Sequence, residues 1–568
     1  MKTLFRYVGR KGGVIGFCLL VKFSGTVLEL LLPWMLSVIL DDYVPLRDLP
    51  GILRWGGLMV LAAEAALLCN AMANRLSTRI SRDITRRLRY DLFERVMGLS
   101  SAQEDAFTTS SLIARLSSDT YNVHQMVDRM QRLGVRAPIL LLGGMAVTFL
   151  LEPVLTLVLV AVLPLLALIV FSVSRRGVAR YTETQGALDV LVRRAQESMA
   201  GVRVIQALSK TGYEVARFDE ANAAVMRRDR RAGLLMNVTN PAMNLFLNVG
   251  LTAVIVVGAY RVNAGVTQPG VIIAFLSYFT IILSALMMVS RLFVLYSKGA
   301  ASAKRIEEVL QAPQDMAVRC LPARADEAHI RFDGVHFSYG KKRDNLYGIS
   351  FSLRRGETLG IIGPTGSGKS TLLQLLLRFY DVDQGHITID GQDLRSVPKE
   401  RLYSLFGVVF QNDFLFAGEI GENIDFGRGL SPEQLERAIE TAQAGFVYGR
   451  AGGLAAELTP KGGNLSGGQR QRVLLARALA ADPDILILDD SSSALDYKTD
   501  AQFRHALAKN FRRATKLIVA QRVSAIRHAD QILVLDQGRA IGLGTHEELL
   551  RSCESYREIA QLQMGEVG

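Results

Sequence analysis

Cysteine is scarce in this chain, with four residues in 568. Cys18, Cys69, Cys320 and Cys553 are scattered, without CxxC spacing or histidine partners. This excludes a disulfide framework and a zinc site, and leaves the four as small apolar fillers in a reducing compartment. Low-complexity sequence is also missing, so no stretch reads as a compositionally biased tail. A cleaved leader would have a short apolar region and a small-residue cleavage site. The first apolar stretch here, Val14 to Leu40, is instead long enough to cross a bilayer and reads as a membrane span.

Hydrophobic residues make up 49% of the chain and the mean hydropathy is positive, which fits a protein part membrane and part water-soluble. At 568 residues the chain is too long for one core, so two or three domains are expected. The net charge of +12 could suggest nucleic acid, but the basic residues crowd beside the apolar stretches. There they act as topology signals and as contacts for anionic lipid headgroups, so nucleic acid is not expected as a partner.

Further spans are expected at Ile52–Arg75, Leu133–Leu151, Val154–Ser174, Pro241–Val262 and Val271–Tyr296, giving six. Residues 1–12, with Lys2, Arg6, Arg10 and Lys11 among apolar residues, read as an interfacial elbow. Two connections are long and arginine-rich, one opening at Arg75, the other running from Arg175 to Arg231. The opposite connections, Asp41–Gly51, Glu152-Pro153 and Asn263–Gly270, are short and mostly acidic or uncharged. That bias puts both termini and both long connections in the cytoplasm, on a multi-pass protein of the cell membrane. Asp83–Gly98 and Leu188–Ala207 keep helical periodicity, so the spans are expected to continue beyond the membrane. Their tips, near Thr108–Leu112 and Ile205–Tyr213, are where a soluble domain would be met.

Polar residues inside the spans call for a reason. Lys22 and Glu29, seven apart on one helix face, and Glu64 either line a cavity or are paired structurally. Asn240, Asn244 and Asn248 repeat every four residues, and Ser284, Met287, Met288 and Phe293 offer adaptable apolar surface. Such stripes serve helix packing or ligand contact.

After Tyr296 comes a charged helical stretch, then a linker with Pro313 and Pro322, then alternating strands, glycine turns and helices. The expected division is a helical membrane domain over 1–310, a linker over 311–327 and an α/β nucleotide-binding domain over 328–568.

That last domain opens on Gly363, Pro364, Thr365, Gly366, Ser367, Gly368, Lys369, Ser370 and Thr371, between an apolar strand (from Glu357) and a helix expected over Leu372–Phe379. The pattern is G-x-x-x-x-G-K-[ST], in which backbone N–H groups cup a phosphate and the helix N-terminus adds positive potential. Lys369 would reach the β- and γ-phosphates and Ser370 would complete a Mg²⁺ site, so ATP or a related triphosphate is bound. Ile485 to Asp489 is an apolar strand ending in a carboxylate fit to hold Mg²⁺. Tyr339 could stack on adenine, and Gln411, after another apolar strand, could reach metal or water.

Leu465-Ser466-Gly467-Gly468-Gln469, opening a helix over Arg470–Ala481, is the distinguishing element. With the phosphate loop, in this order and spacing, the chain resembles the ATP-binding-cassette (ABC) transporters, and its six spans resemble those of exporter-type half-transporters. The resemblance implies an ATP-driven exporter of hydrophobic compounds whose cassette must pair with a second one. It implies Tyr339 as the adenine-stacking ring and Gln411 as the residue linking nucleotide to the membrane domain. It assigns Ser466 to Gln469 to a signature that completes a site across the dimer, and Asp489 to the metal. Ser493 to Asp496 would form the loop passing between the two sites. No peptidase domain stands before the first span, which disfavours processed peptides as cargo.

Two residues depart from the family's pattern. The residue after Asp489 is usually glutamate, the general base; here it is Asp490, shorter by one methylene. The family places a histidine after the strand Lys516–Ala520; here Gln521 stands there, which carries neither proton nor charge. Together they resemble the degenerate-site subunit of heterodimeric bacterial multidrug exporters. The alternatives are a homodimeric exporter in which Asp490 serves as the base, and a regulatory cassette subunit that gates a partner. A third oddity is that Thr459 to Asn464, before the signature, holds no acidic residue.

Overall fold

The computed structural model describes residues 2–9, 11–313, 316–323, 327–339, 341, 344–491 and 494–564. Ser493 lies outside them, as does the side chain of Asn240. The chain packs as two units, one formed by Met1–Gly98 with Thr109–Ala312, the other by Leu99–Thr108 with Pro313–Gly568.

The first unit is helical. Its helices are α1 (Lys2–Gly9), α2 (Gly12–Val38) and α3 (Leu49–Met97), then α5 (Thr109–Ala114) to α12 (Pro269–Leu310), with α4 (Ser101–Phe107) falling in the second unit. Between α5 and α12 lie α6 (Thr120–Pro138), α7 (Gly144–Leu151), α8 (Pro153–Ala200), α9 (Val202–Ala207), α10 (Thr211–Asn237) and α11 (Thr239–Asn263). Wide turns at Ile39–Tyr43, Arg115–Asp119 and Ile139–Gly143 extend α2 and join α5, α6 and α7 into one rod.

Among the described residues five helices are long and apolar enough to cross a membrane: Gly12–Tyr43, Leu49–Met97, Thr109–Leu151, Asn244–Asn263 and Pro269–Leu310. The fourth expected span lies in α8, whose described apolar part is Pro153–Val162. With 49 residues, α3 far exceeds the roughly 20 needed for a span. It therefore carries its helix well past the apolar segment, into a stretch rich in charged residues.

The second extension is less regular than the periodicity suggests. Leu188–Ala207 is not one helix: α8 stops at Ala200 and Gly201 breaks it before α9. Glycine costs the most backbone entropy in a helix and readily takes the terminal position. The first tip also differs, since the residues that join the second unit are Leu99–Thr108, just ahead of the expected Thr108–Leu112. A capping box at Ser100 with Gln103 starts α4 there, and Thr108, at φ 62°, ends it.

The elbow α1 is tied to α3: the Tyr7 hydroxyl donates to Asp91 at 2.5 Å, and Lys11 pairs with Asp83 at 3.2 Å. Inside the spans, Lys22 is buried and donates to the side-chain oxygens of Asn70 at 2.8 Å and Asn74 at 3.2 Å. Arg136 pairs with Glu29 at 2.6 Å. Of the two readings for these charges, pairing is what the helices provide, because an apolar surround penalises any charge left alone. Glu64 is exposed on α3.

The second unit is an α/β cassette. Its strands are β1 (Ile330–Phe337), β2 (Leu346–Leu353), β3 (Thr358–Ile362), β4 (Gln384–Ile389), β5 (Gln392–Asp393) and β6 (Phe406–Val409). They continue as β7 (Gly418–Glu419), β8 (Glu457–Leu458), β9 (Ile485–Asp489), β10 (Thr515–Val519), β11 (Gln531–Asp536) and β12 (Arg539–Gly544). The main sheet runs β12-β11-β3-β10-β9-β6, parallel except where β12 closes its edge antiparallel to β11. A strand covered on both faces needs a continuous apolar run, and every residue of β9 is buried. An antiparallel sheet, β2-β1-β4-β5, packs its apolar side on the phosphate-loop helix through Phe332, Ile349, Leu372 and Leu376.

The linker is held down in its described part. Arg378, 1% exposed, donates to the carbonyls of Met316 and Ala317 and pairs with Asp381 at 3.0 Å. A buried guanidinium needs all its donors matched, and the linker backbone supplies two acceptors. In α4, Asp105 accepts from the Tyr380 hydroxyl at 2.6 Å, and Gln103 donates to the Pro313 carbonyl at 2.7 Å.

Candidate functional site

Parallel strands end together, so whatever follows β3, β9 and β10 converges at one edge of the sheet. There the cassette opens a cleft of ≈ 680 Å³ lined by residues 362–366 and 368–371 with Gln411, Asp489, Asp490 and Gln521. The elements that bring them together are β3 into the helix Lys369–Leu376, β6 into the turn at Gln411, β9 into Asp490, and β10 into Gln521. The helix starts three residues before its expected beginning, so Lys369, Ser370 and Thr371 occupy its first turn.

The loop has the shape of an anion cradle. Gly366 takes φ +84° with open space where a Cβ would stand, and Gly368 takes φ +103° with Leu346 only 2.6 Å from its own Cβ position. Both conformations favour glycine. Ser367 Oγ is buried and has no hydrogen-bond partner among the described residues. Lys369 Nζ donates to the carbonyls of Gly363 and Pro364, each at 2.8 Å, folding back over the cradle. Burial lowers its pKa, opposed by the nearby charges of Asp489 and Asp490. An ammonium held by two carbonyls, beside backbone donors at a helix N-terminus, fits an incoming polyphosphate.

Ser370 Oγ donates to Asp489 Oδ2 at 3.4 Å. A hydroxyl and a carboxylate facing one point suit a hard divalent cation, and oxygen is the donor such an ion prefers. Burial raises the Asp489 pKa, the Ser370 bond lowers it, and Asp490 adds a raising charge. A cation there would offset that burial. Asp490 takes φ +50° at the strand end, and its backbone N–H donates to Val519 O at 3.0 Å. Burial raises its pKa too, while Arg522 and Lys369 pull it down. The Gln521 side-chain amide donates to Asp490 Oδ2 at 3.0 Å. The two departures from the family pattern are therefore bonded to each other.

Tyr339 is 47% exposed; its hydroxyl donates to Gln374 Oε1 at 2.5 Å and lies 3.2 Å from Thr371 Oγ1. Its ring meets Phe337 and Tyr380 edge-on at 4.9 and 5.1 Å, and it is not among the residues lining the cleft. Burial raises its pKa, so the hydroxyl stays protonated at neutral pH.

The remaining expected residues sit elsewhere. Ser466 caps the helix Gly467–Leu479, which begins three residues before the expected Arg470. Its Oγ accepts from Gln469 N at 3.3 Å, and Gln469 Oε1 accepts from Ser466 N at 3.1 Å. Nothing lies within 4 Å of a Cβ built on Gly467, whereas one on Gly468 would meet Ala494 O at 3.1 Å. None of these four residues lines the cleft. Asp496 caps the helix Tyr497–Asn510 and accepts from Thr499 N at 2.9 Å, also away from the cleft. The acid-free stretch before the signature is closed by Asn464, which accepts from Thr459 N at 3.2 Å and donates to Glu457 O at 2.9 Å.

Sequence reasoning missed the walls of the cleft made by β11 and β12, which contribute Val534, Leu535, Asp536 and Ile541, and by the C-terminal helix. The helix Glu554–Met564 contributes Ser555, Glu558, Ile559 and Gln563, all on one helical face. Their spacing of three and four residues was the available signal, but it marks an amphipathic face without saying what it faces.

Comparison with known proteins gives these features a family. The profile described as "ABC transporter transmembrane region" matches residues 15–286, and that described as "ABC transporter" matches residues 346–493. The ABC transporter ATP-binding protein YfiB of Bacillus subtilis is 35% identical over 97% of this chain and 97% of its own length. Rv1273c of Mycobacterium tuberculosis, of the same description, is 34% identical over 97% of this chain and 96% of its own. The structure of a bacterial Atm1-family ABC exporter with ATP bound superposes with a TM-score of 0.82 at 25% identity, over 100% of this chain and 99% of that one. A helical membrane unit, a phosphate-binding cassette and relatives matched from end to end leave one assignment: this chain belongs to the ABC transporters, as an exporter-type half-transporter whose cassette is a transport-coupled ATPase.

Proposed function

We propose that this chain is one half of a heterodimeric exporter that uses ATP to move hydrophobic or amphipathic compounds, drugs or lipids, across the cell membrane. In this reading the site on its own phosphate loop is the slow one of the pair. The observation that carries it is the Asp490–Gln521 bond at 3.0 Å.

Hydrolysis requires water to attack the γ-phosphorus while the bond to the bridging oxygen of ADP breaks and a base takes the water's proton. A carboxylate drawn back by one methylene, about 1 Å, loses on the order of a hundredfold in rate. Gln521 occupies one oxygen of that carboxylate, and as a neutral amide it has no proton to exchange. Gly363 to Thr371 would hold the phosphates and Tyr339 the base, with Gln411 relaying occupancy to the membrane domain. Ser370, Asp489 and Gln411 would hold Mg²⁺, which neutralises charge on the β- and γ-oxygens.

The second cassette is required on physical grounds. The signature turn is a helix N-terminus with an open Gly467, yet it stands outside the cleft of its own cassette. Ser466, Gly467, Gly468 and Gln469 therefore serve a nucleotide held by the partner, with Asp496 in the loop between the sites. The proposed division is a membrane domain over 1–310, a linker over 311–327 and a cassette over 328–568, with both termini and the cassette on the cytoplasmic side by the arginine bias. Apolar surface at Met287, Met288 and Phe293 supports a hydrophobic cargo.

The test is ATP turnover by the purified chain alone and in its native pair. The lone chain should be nearly inactive and the pair active. Brisk turnover by the lone chain, abolished by Asp490→Asn, would overturn the reading.

A further inference from the structure

The helix Glu554–Met564 does more than close the fold. Its inward face is fixed: Tyr556 and Ala560 are fully buried, and the Tyr556 hydroxyl meets His546 Nδ1 at 2.7 Å. Another face lines the cleft, and one of its side chains is bonded to the loop that carries Gln521. Gln563 Nε2 donates to the Gln521 carbonyl at 2.7 Å, while Gln563 Oε1 accepts from the Val523 N–H at 2.8 Å.

This single amide therefore grips the backbone on both sides of Arg522. Arg504 also donates to the Ser524 carbonyl at 2.7 Å and Val523 is buried, but Gln563 is the side chain that bonds the backbone on both sides of Arg522. Gln521 in turn donates its own amide to Asp490 at 3.0 Å. The sequence of contacts runs from a helix anchored by Tyr556 and Ala560, through Gln563, to the end of β10 and then to the Asp490 carboxylate. Only a side chain with one donor and one acceptor at fixed separation makes both bonds, and among residues of this length that is glutamine.

We propose that Gln563 is a positioning residue for the Asp490–Gln521 pair, which makes the helix Glu554–Met564 part of this chain's hydrolytic site. The proposal rests on the reading of this cleft as the ATP site, but not on whether the partner is a different chain. A small displacement of a catalytic group is costly even when its chemistry is untouched.

The experiment is ATP turnover against ATP concentration by the full-length chain in its assembled, reconstituted transporter, with the partner's own site silenced. Gln563→Ala should lower kcat about tenfold, with KM for ATP moving less than about twofold. Gln563→Glu keeps the acceptor for Val523 but sets an oxygen against the Gln521 carbonyl, and should fall as far. Gln561→Ala, exposed on another face of the same helix and outside the cleft lining, should change neither parameter. An unchanged kcat, or a fall in kcat matched by a rise in KM, overturns the proposal. Should either Gln563 variant fail to assemble, amide exchange at Val523 in the unsubstituted transporter decides it: slow exchange supports the Gln563 bond, and exchange at the rate of an open loop overturns it. The heterodimer reading fails separately, on brisk turnover by the lone chain, and the Gln563 effect is then measured on that turnover.

Discussion

At the scale of single residues, the proposed function turns on the reach and proton affinity of one carboxylate, Asp490, as the base. Asp490→Glu restores the missing methylene, and should raise turnover at this chain's own site by about tenfold or more when the partner's site is silenced. The same measurement across pH tests the environment of Asp490. Burial holds its pKa above the ordinary carboxylate value against the pull of Arg522 and Lys369. As a base it must be ionised, so residual turnover should begin to fall on acidification at a higher pH than for an exposed aspartate. The sign for stability is opposite to that of a salt-bridged carboxylate. The folded state binds this proton more tightly than the unfolded chain, so this group's contribution weakens as pH rises from the unfolded pKa through the folded one. Asp490 was legible in the sequence as a substitution; its bond to Gln521 was not, because β9 and β10 bring the two together across 31 positions.

At the scale of elements, the signature helix carries its cap on the residue proposed to meet the partner's nucleotide. Ser466 and Gln469 form a reciprocal capping box on the helix Gly467–Leu479. Ser466→Ala should cost about 1 kcal/mol of cassette stability, read as a small drop in thermal midpoint. Its effect on turnover should be far larger and should fall on the partner's nucleotide, exceeding that of Asp490→Asn in the assembled pair. Equal effects of the two substitutions would count against the division of labour. Helix starts were the least legible feature here. The glycines that sequence propensity places in a loop, Gly467 and Gly468, lie in the first turn because the serine cap satisfies the free N–H groups. The break at Gly201 is the reverse case, where periodicity ran on and the backbone did not.

At the scale of the whole molecule, the orientation proposed from the arginine bias can be checked with a residue the chain already has. Cys320 is exposed in the linker, while Cys18 and Cys553 are buried and Cys69 is half-buried in a span. A membrane-impermeant maleimide should label Cys320 in inverted vesicles and not in intact cells, and Cys320→Ser should remove the signal. Labelling from the outside would reverse the topology.

The sequence by itself determined the class of the protein: apolar runs of bilayer length, a phosphate loop between strand and helix, and a signature pentapeptide. Each is a local pattern, set by backbone geometry or by the cost of placing polar groups in hydrocarbon, and so is readable over a few to about twenty residues. Tertiary structure decided what depends on residues distant in the chain. It paired Lys22 with asparagines and Glu29 with Arg136, seated the linker on Arg378, joined Gln521 to Asp490, and turned one face of the helix Glu554–Met564 toward the nucleotide cleft. A hydrogen bond is fixed by an approach of about 3 Å, and only the packed chain sets that distance.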